Sequence, residues 1–327
     1  MIDPEMRKLG IGGSDVAAIF GADEFKDAFS VWATKKGGLV KPDKPNIRML
    51  VGKYLEEGVL KLYAHFTGRE VEYCDVTSRH PERPWMVYTP DALVKGERRG
   101  VDAKVVAWDQ RRQWGFSADE IPMRVQLQCW WYMAAMDYDA WDVCALMGEG
   151  EPRIYSIDRD REAEAVMLAR VEEWYTRYLL GDERPPMGGN EDAALWLKQM
   201  YPRHKRPDLR DATAEEVAML TDYVQVRVQQ KALQRRRAEL EIYLKDAIAN
   251  REGLEWPEGR FTWRRTKDGT WVDWQSMALG LLHEHVTDAD ERQRIEKFYT
   301  HTKEGVRRIL CSHDDLRADP EAQEVAA

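Results

Sequence analysis

The sequence is short of cysteine, of long apolar runs and of positive charge, and each shortage excludes something. The four cysteines, Cys74, Cys129, Cys144 and Cys311, stand far apart and form no C-x-x-C pair. Neither a zinc site nor a disulfide framework is expected, and scattered free thiols fit a reducing cytoplasm. No apolar run approaches the roughly 18 residues of a membrane helix, so no membrane partner is expected. The opening MIDPEMRKLG holds no apolar segment, and no signal peptide is expected there. The formal net charge is −9, so a nucleic-acid partner would have to meet positive charge concentrated locally on an acidic chain. Carboxylates kept for holding metal would themselves add to that negative total.

What remains is a globular balance, 43% hydrophobic and 33% charged over 327 residues, enough for one large domain or two ordinary ones. The thirteen tryptophans are read as core and interface packing, because base stacking has no support in their spacing.

Along the chain, GIGGSDVAAIFG (10–21) reads as a glycine turn entering a short helix, with Ser14 or Asp15 as N-cap. A second short helix is expected over 28–37 and a proline-containing loop over 39–47. Residues 49–67 repeat apolar side chains at Val51, Leu55, Val59, Leu62 and Phe66, the spacing of a helix that stops at Gly68. Segments 85–94 and 100–108 read as two strands joined by KGERRG. A helix over 121–136, strands over 140–147 and 153–157, and a helix over 160–180 follow. The stretch 181–192 has linker composition, and a short helix is expected over 193–200. Thr213 and Glu216 form a capping box that opens one long charged helix over 213–250. A hairpin is expected over 260–274 around Lys267-Asp268-Gly269, and a polar, frayed tail from about 315.

The second strand carries the chemistry. Residues two apart share a strand face, so Asp102 and Lys104 point one way and Val101, Ala103 and Val105 the other. Unpaired charge is costly to bury, so two charges on one face of VDAKVV need either solvent or a purpose. Upstream, Pro90 lacks an amide hydrogen and breaks the ladder, which puts Asp91 at an irregularity near the partner strand. Two carboxylates and a lysine then converge across one hairpin. Carboxylate oxygens suit a hard cation such as Mg2+, which would acidify a bound water and shield phosphate charge, while the lysine positions that water or stabilises the transition state.

Pro90-Asp91 followed by Asp102-Ala103-Lys104 resembles the PD-(D/E)XK nuclease signature. Four further segments resemble the YqaJ-like viral recombinases, the lambda-type exonuclease family within that superfamily. In RKLGIGGSD, Arg7 and Ser14 match the element that holds a DNA 5′-phosphate, and a guanidinium, a hydroxyl and glycine-exposed amides suit that anion. Glu56 ends a G-x-x-x-E; helix geometry pairs Glu57 with Lys61 toward solvent and sets Glu56 beside Leu60 and Tyr63. On the helix after the strands, Gln126 and Gln128 stand about 200° apart, so both cannot face one site. The resemblance favours Gln126, while Gln128 with Tyr132 makes the Q-x-x-x-Y of RecB-type nucleases. A G-x-x-x-P-P segment within Leu180–Tyr201 matches the family's exit from the nuclease domain. Asp102 stands where these relatives usually carry glutamate, and Ala92 where glycine usually follows the first acid, which bears on metal geometry and preferred ion.

The resemblance implies an α/β fold: a PD-(D/E)XK nuclease core with a mixed central sheet flanked by helices, plus a C-terminal helical extension with a small hairpin. The nuclease domain is expected over 1–190, a connecting segment over 191–212 and an accessory region over 213–327. It further implies an exonuclease that hydrolyses phosphodiester bonds from ends of linear duplex DNA, 5′ to 3′, with Asp91, Asp102, Lys104, Glu56 and Gln126 as catalytic residues. Mg2+, with Mn2+ able to substitute, would bind Asp91, Asp102, the Ala103 carbonyl and, through water, Glu56. A single-strand annealing protein and a trimeric assembly are the implied partners. Two rivals are a single-strand exonuclease or endonuclease of the same fold, and a DNA-end-binding module that holds no metal. In the C-terminal region, Arg227, Lys231, Arg235, Arg236 and Arg237 are read as a solvated mixed-charge face rather than a DNA clamp, and His283 and His285 as surface residues.

Overall fold

The computed structural model describes residues 4–41, 47–74, 76–148, 152–203, 209–267 and 270–300. They belong to two compact units divided after Pro202.

The first unit opens with helices α1 (Pro4–Leu9), α2 (Gly13–Ile19), α3 (Ala28–Lys35) and α4 (Ile47–Thr67). Strands β1 (Val71–Tyr73), β2 (Ser78–Arg79), β3 (Val87–Tyr88), β4 (Ala92–Val94) and β5 (Arg99–Val105) follow. After a 3-10 segment at Trp108–Gln113 come α5 (Met123–Met136), β6 (Ala140–Leu146), β7 (Arg153–Asp158) and α6 (Arg161–Trp174), which continues as a π-helical stretch to Leu180. The unit ends with α7 (Glu191–Met200). Five strands form one sheet in the order β1-β4-β5-β6-β7. Its pairs are antiparallel except β5 with β6. Parallel neighbours need a crossover, and α5 supplies it. The sheet is therefore mixed, with helices on both faces.

On one face, Val59, Leu60 and Tyr63 of α4 pack with Val94, Val101 and Cys144. The sequence placed this helix correctly but drew its buried stripe through Val51, Leu55 and Phe66, which are exposed. The stripe that meets the sheet carries Leu60 and Tyr63, and Glu56 precedes it by one turn. On the other face, α5 buries Trp131 and Met133 against Trp141 and Val143 of β6.

The strand expected over 85–94 is two strands. β3 pairs with β2 in a small separate sheet, and only β4 joins the main one. Pro90, between them, cannot donate to a ladder. The turn before α2 fills the space beside β3: Ile11 N–H donates to the Trp85 carbonyl (2.7 Å), and Val87 N–H donates to the Ile11 carbonyl (2.9 Å). A Cβ on Gly10 would lie 2.6 Å from Val87 Cγ1 and 2.9 Å from the Trp85 carbonyl oxygen, so this approach admits only glycine. The N-cap of α2 is Gly12, not Ser14 or Asp15; Asp15 closes the cap by accepting the Gly12 N–H at 3.0 Å.

α7 lies in the first unit. Its Trp196 meets the Phe29 and Trp32 rings at centroid distances of 5.5 and 5.7 Å and donates Nε1–H to the Gly37 carbonyl. The stretch 191–200, expected in a connecting segment, is thus packed into the first unit.

In the second unit, α8 (Ala214–Ile248) starts at the expected Thr213–Glu216 capping box. The hairpin, expected over 260–274, is β8 (Gly253–Trp256) with β9 (Gly259–Thr262). Trp256 pairs with Gly259, so Pro257-Glu258 forms a two-residue turn, and Leu254 pairs with Phe261. Asp268 and Gly269, the expected turn, and the tail from 315 lie outside the described residues. Helices α9 (Trp274–His285) and α10 (Ala289–Tyr299) follow, with His283 exposed and its Nδ1 3.0 Å from Arg292 Nη1.

The tightest packing in the sheet is the Trp141 ring lying on Gly100, where a Cβ would fall inside the ring's contact distance. Gly100→Ala is therefore expected to destabilise the first unit by about 1–3 kcal/mol through overpacking. Urea unfolding measures it; an unchanged midpoint would show that Trp141 moves aside freely.

Candidate active site

Two carboxylates are buried on adjacent central strands, and they are treated differently. Asp142 on β6 is satisfied: Tyr63 donates its hydroxyl at 2.6 Å, and Arg99 and Arg69 pair with the same carboxylate. Asp102 on β5 is 0% exposed, and neither of its oxygens has a hydrogen-bond partner. Its one close neighbour of opposite charge is Lys104, whose Nζ stands 2.5 Å from Oδ2. An acid buried this way is costly unless another group completes it.

Asp91 arrives at the same place because of the strand break. Pairing of β4 with β5 ends at Ala92–Val101, next to Pro90 and Asp91. Beyond that end the Ala103 N–H donates to Asp91 Oδ2 at 2.8 Å. The irregularity thus seats the first acid against the backbone of Ala103, within electrostatic reach of the Asp102–Lys104 pair.

The electrostatics follow from this crowding. Burial, with the Asp102 charge next, pushes the Asp91 carboxyl up from 3.8 to about 8, and Glu56 adds to the rise. Burial is also the main cause that raises Glu56, with Asp102 contributing and Lys104 opposing. For Lys104, burial favours the neutral amine, but Asp102 and Asp91 outweigh it and its pKa is raised. Three carboxylates therefore share one ammonium.

The expected glutamate assignment agrees with the geometry: Glu57 is exposed and pairs with Lys61 at 2.7 Å, whereas Glu56 is half-buried and within electrostatic reach of Asp102 and Lys104. The glutamine assignment does not. Gln126 donates its amide to the carbonyls of Ile121 (2.9 Å) and Asp119 (3.4 Å), which ties down the entry to α5. Gln128 instead accepts from Lys104 Nζ at 3.3 Å and donates to the Tyr132 hydroxyl at 2.9 Å. Tyr132 donates its hydroxyl to the Thr89 carbonyl at 3.2 Å, so the Q-x-x-x-Y pair links Lys104 to the residue before Pro90.

Ser14 is exposed at the start of α2 and lines, with Lys104 and Gln128, a cavity of about 260 Å³ whose walls include Phe25, Trp114 and Arg124. Arg7 is exposed on α1, and its charge opposes the burial that raises the Tyr132 hydroxyl. Sequence reasoning missed the group that shapes this turn. Lys35 donates to the Arg7 and Gly10 carbonyls at 2.6 and 2.7 Å and lies 3.0 Å from Asp15. Burial would raise Asp15, but Lys35 and Lys26 overcome it and hold its carboxyl below the usual range. Arg124 was likewise missed; nothing in its neighbourhood in sequence marks it.

The donors present fit a hard divalent cation. Asp102 offers one oxygen, Oδ1, with no partner and a second, Oδ2, paired only with Lys104; Asp91 carries a repulsion that a cation would relieve, and the acids outnumber the lysine. Among the described residues no group of three or more His, Cys, Asp or Glu forms a ready cage. Mg2+ does not require one, since it commonly takes one or two carboxylates and keeps several waters.

Because the folded pKa of Asp91 is raised, its contribution to stability is complete at low pH and is lost as pH rises toward about 8. In chelator, Asp91→Asn is expected to flatten the fall in melting temperature between about pH 5 and about pH 8. The gain is roughly 2–4 °C per kcal/mol of repulsion removed. Equal slopes for both proteins in a thermal melt would show that Asp91 does not carry that repulsion.

Residues 4–139 match the family described as the YqaJ-like viral recombinase domain, and every candidate site residue named above from Arg7 to Tyr132 lies inside that stretch. The "Uncharacterized protein YqaJ" of Bacillus subtilis (strain 168) is 26% identical over 249 residues, covering 75% of this chain and 77% of the relative. An alkaline exonuclease (LHK-Exo) from Laribacter hongkongensis, 17% identical, superposes with a TM-score of 0.44 over 53% of this chain and 90% of that chain. A phage related exonuclease from Haemophilus somnus 129PT, 18% identical, gives 0.37 over 53% and 96%.

Proposed function

We propose that this chain, whose residues 4–139 form a YqaJ-like viral recombinase domain, is a metal-dependent DNA exonuclease acting on the ends of linear duplex DNA. The observation that carries the reading is Asp102: fully buried, partnered by Lys104 alone with Oδ1 left unpaired, and next to Asp91, which the break at Pro90 brings to the Ala103 N–H. A structural acid would be satisfied as Asp142 is; this one is complete only with a ligand.

When bound by Asp91, Asp102 and the Ala103 carbonyl, with Glu56 reaching through water, Mg2+ or Mn2+ would acidify a water and shield the phosphate. The protein's own part is placement and charge. Lys104 is the group beside the acids that can hold the attacking water or meet negative charge developing on the phosphate. Gln128, bonded to Lys104 and to Tyr132, fixes where that ammonium points. Ser14, in the same cavity as Lys104, and Arg7 on the preceding helix would hold a terminal 5′-phosphate, which sets a 5′ to 3′ direction. The family resemblance alone supports a trimeric assembly and hand-over of the remaining strand to an annealing protein.

The test is digestion of linear duplex DNA with Mg2+, its ends with or without 5′-phosphate, beside a covalently closed circle. Loss of linear DNA only, faster with the phosphate and abolished by Asp102→Ala, is expected. Nicking of the circle would favour an endonuclease, and binding without hydrolysis a DNA-end module.

A second expectation separates the two glutamines. Gln128→Ala should lower the rate by roughly 10- to 100-fold, as loss of an orienting partner does, and Gln126→Ala by much less. The reverse order in steady-state assays would restore Gln126 to the site.

A further inference from the structure

The segment that follows Lys104 forms one wall of the catalytic cavity, through Val106, Gln110 and Trp114. Trp108, in the chain between the lining residues Val106 and Gln110 but not itself lining the cavity, is 83% exposed, and Phe116 just beyond the segment is 87% exposed. Among the described residues of the first unit, these are the two most exposed large hydrophobic side chains. The exposure is built in. Arg48 Nη2 holds Asp109 at 2.9 Å, Gln113 donates to Glu24 at 2.8 Å, and Arg124 donates to Gln113 at 3.3 Å. Trp114 is buried in the same stretch. The backbone is therefore tied at several points while the Trp108 ring is left out.

The surroundings of that ring are basic. In a 3-10 helix, residues three apart eclipse, and the Arg111 guanidinium lies 5.5 Å from the Trp108 ring centroid. Arg112 follows, and no ion pair among the described residues involves either arginine. The acids nearby are occupied locally: Asp109 by Arg48, and Glu120 by the Phe116 and Ser117 N–H groups. On a chain of net charge −9, an exposed indole beside two arginines that make no ion pair among the described residues, in the segment that continues from the cavity wall, is a local exception.

We propose that Trp108 is a base-stacking platform: a nucleobase of the strand being cut stacks on its open face, and Arg111 and Arg112 meet that strand's phosphates. The inference rests on the nuclease reading above and deepens it by naming how the strand is held. Stacking suits an enzyme that must accept every base in turn, because each base has a π-face and none is read by its edge. It also gives a reason for the 3-10 geometry, which sets Arg111 against the ring and so holds the ring's orientation.

The experiment compares the full-length chain with its Trp108→Ala and Trp108→Phe variants on linear duplex DNA in Mg2+. A matched substrate carries an abasic nucleotide near the cut end. Trp108→Ala is expected to raise KM by roughly 5- to 150-fold, the equivalent of one lost stack, with kcat changed much less. Trp108→Phe should recover most of the loss. The abasic nucleotide should weaken the unaltered chain and add no further penalty to Trp108→Ala, because the two changes remove the same contact. Melting temperatures should match, since the ring covers little of the core. An unchanged KM for Trp108→Ala, or an equal abasic penalty in both proteins, would overturn the inference while the nuclease reading stands. No hydrolysis by the unaltered chain would overturn both.

Discussion

A fully buried carboxylate that a single lysine partners, with one oxygen left unpaired, is the constraint around which the first unit is arranged. Asp102 sits on the second of three consecutive central strands, out of water, with Lys104 as its close partner and two further acids within electrostatic reach. The sheet tolerates a buried acid when it is fully bonded, as Asp142 shows one strand away. The contrast separates a charge that the fold surrounds with several donors from one that it leaves with a single lysine, the difference on which the proposed metal site rests. Burying an incomplete charge lowers stability, and folds retain such groups where chemistry uses them.

Helix α5 connects that site to the core. The helix is buried on more than one side, through Trp131 and Met133, and Trp131 Nε1 donates to the Val87 carbonyl at 2.9 Å. It also carries Gln128 and Tyr132, one turn apart, which reach Lys104 and Thr89. The helix therefore grips the chain on the approach to Pro90 at two points, Val87 and Thr89. Those grips hold the break that delivers Asp91. The same helix also packs beneath Gly13, where a Cβ would meet Gln128 Cγ at 3.1 Å, so the glycine turn, the glutamine and the lysine are fitted to one another.

The second unit is built on different terms. In α8 only Val224 and Ile248 are buried, and arginines pair with glutamates along its surface, as Arg237 does with Glu241 at 2.8 Å. That is the solvated mixed-charge face expected of its sequence. Caps and surface pairs rather than a wide apolar stripe maintain it, so the helix retains most of its length in solvent.

Much of this was legible in the residues alone. Alternation in VDAKVV set Asp102 and Lys104 on one face, Pro90 marked the break beside Asp91, and the i,i+4 pairing of Glu57 with Lys61 left Glu56 for the sheet side. Each depends on local periodicity or on a missing amide hydrogen, which the sequence states outright. Other features needed the folded chain. Gln126 and Gln128 share a helix and an amide, and only the packing of α5 against β3 and β5 decides which reaches Lys104. The buried stripe of α4, the cap at Gly12 and the hold of Lys35 on the Gly10 turn likewise come from partners distant in sequence. Trp108 was one of thirteen tryptophans assigned to packing, because composition cannot tell an exposed ring from one placed in a core. Local propensity and period fix which residue types stand on which face; the contacts that complete a site are long-range, and tertiary packing alone selects among side chains equally able to make them.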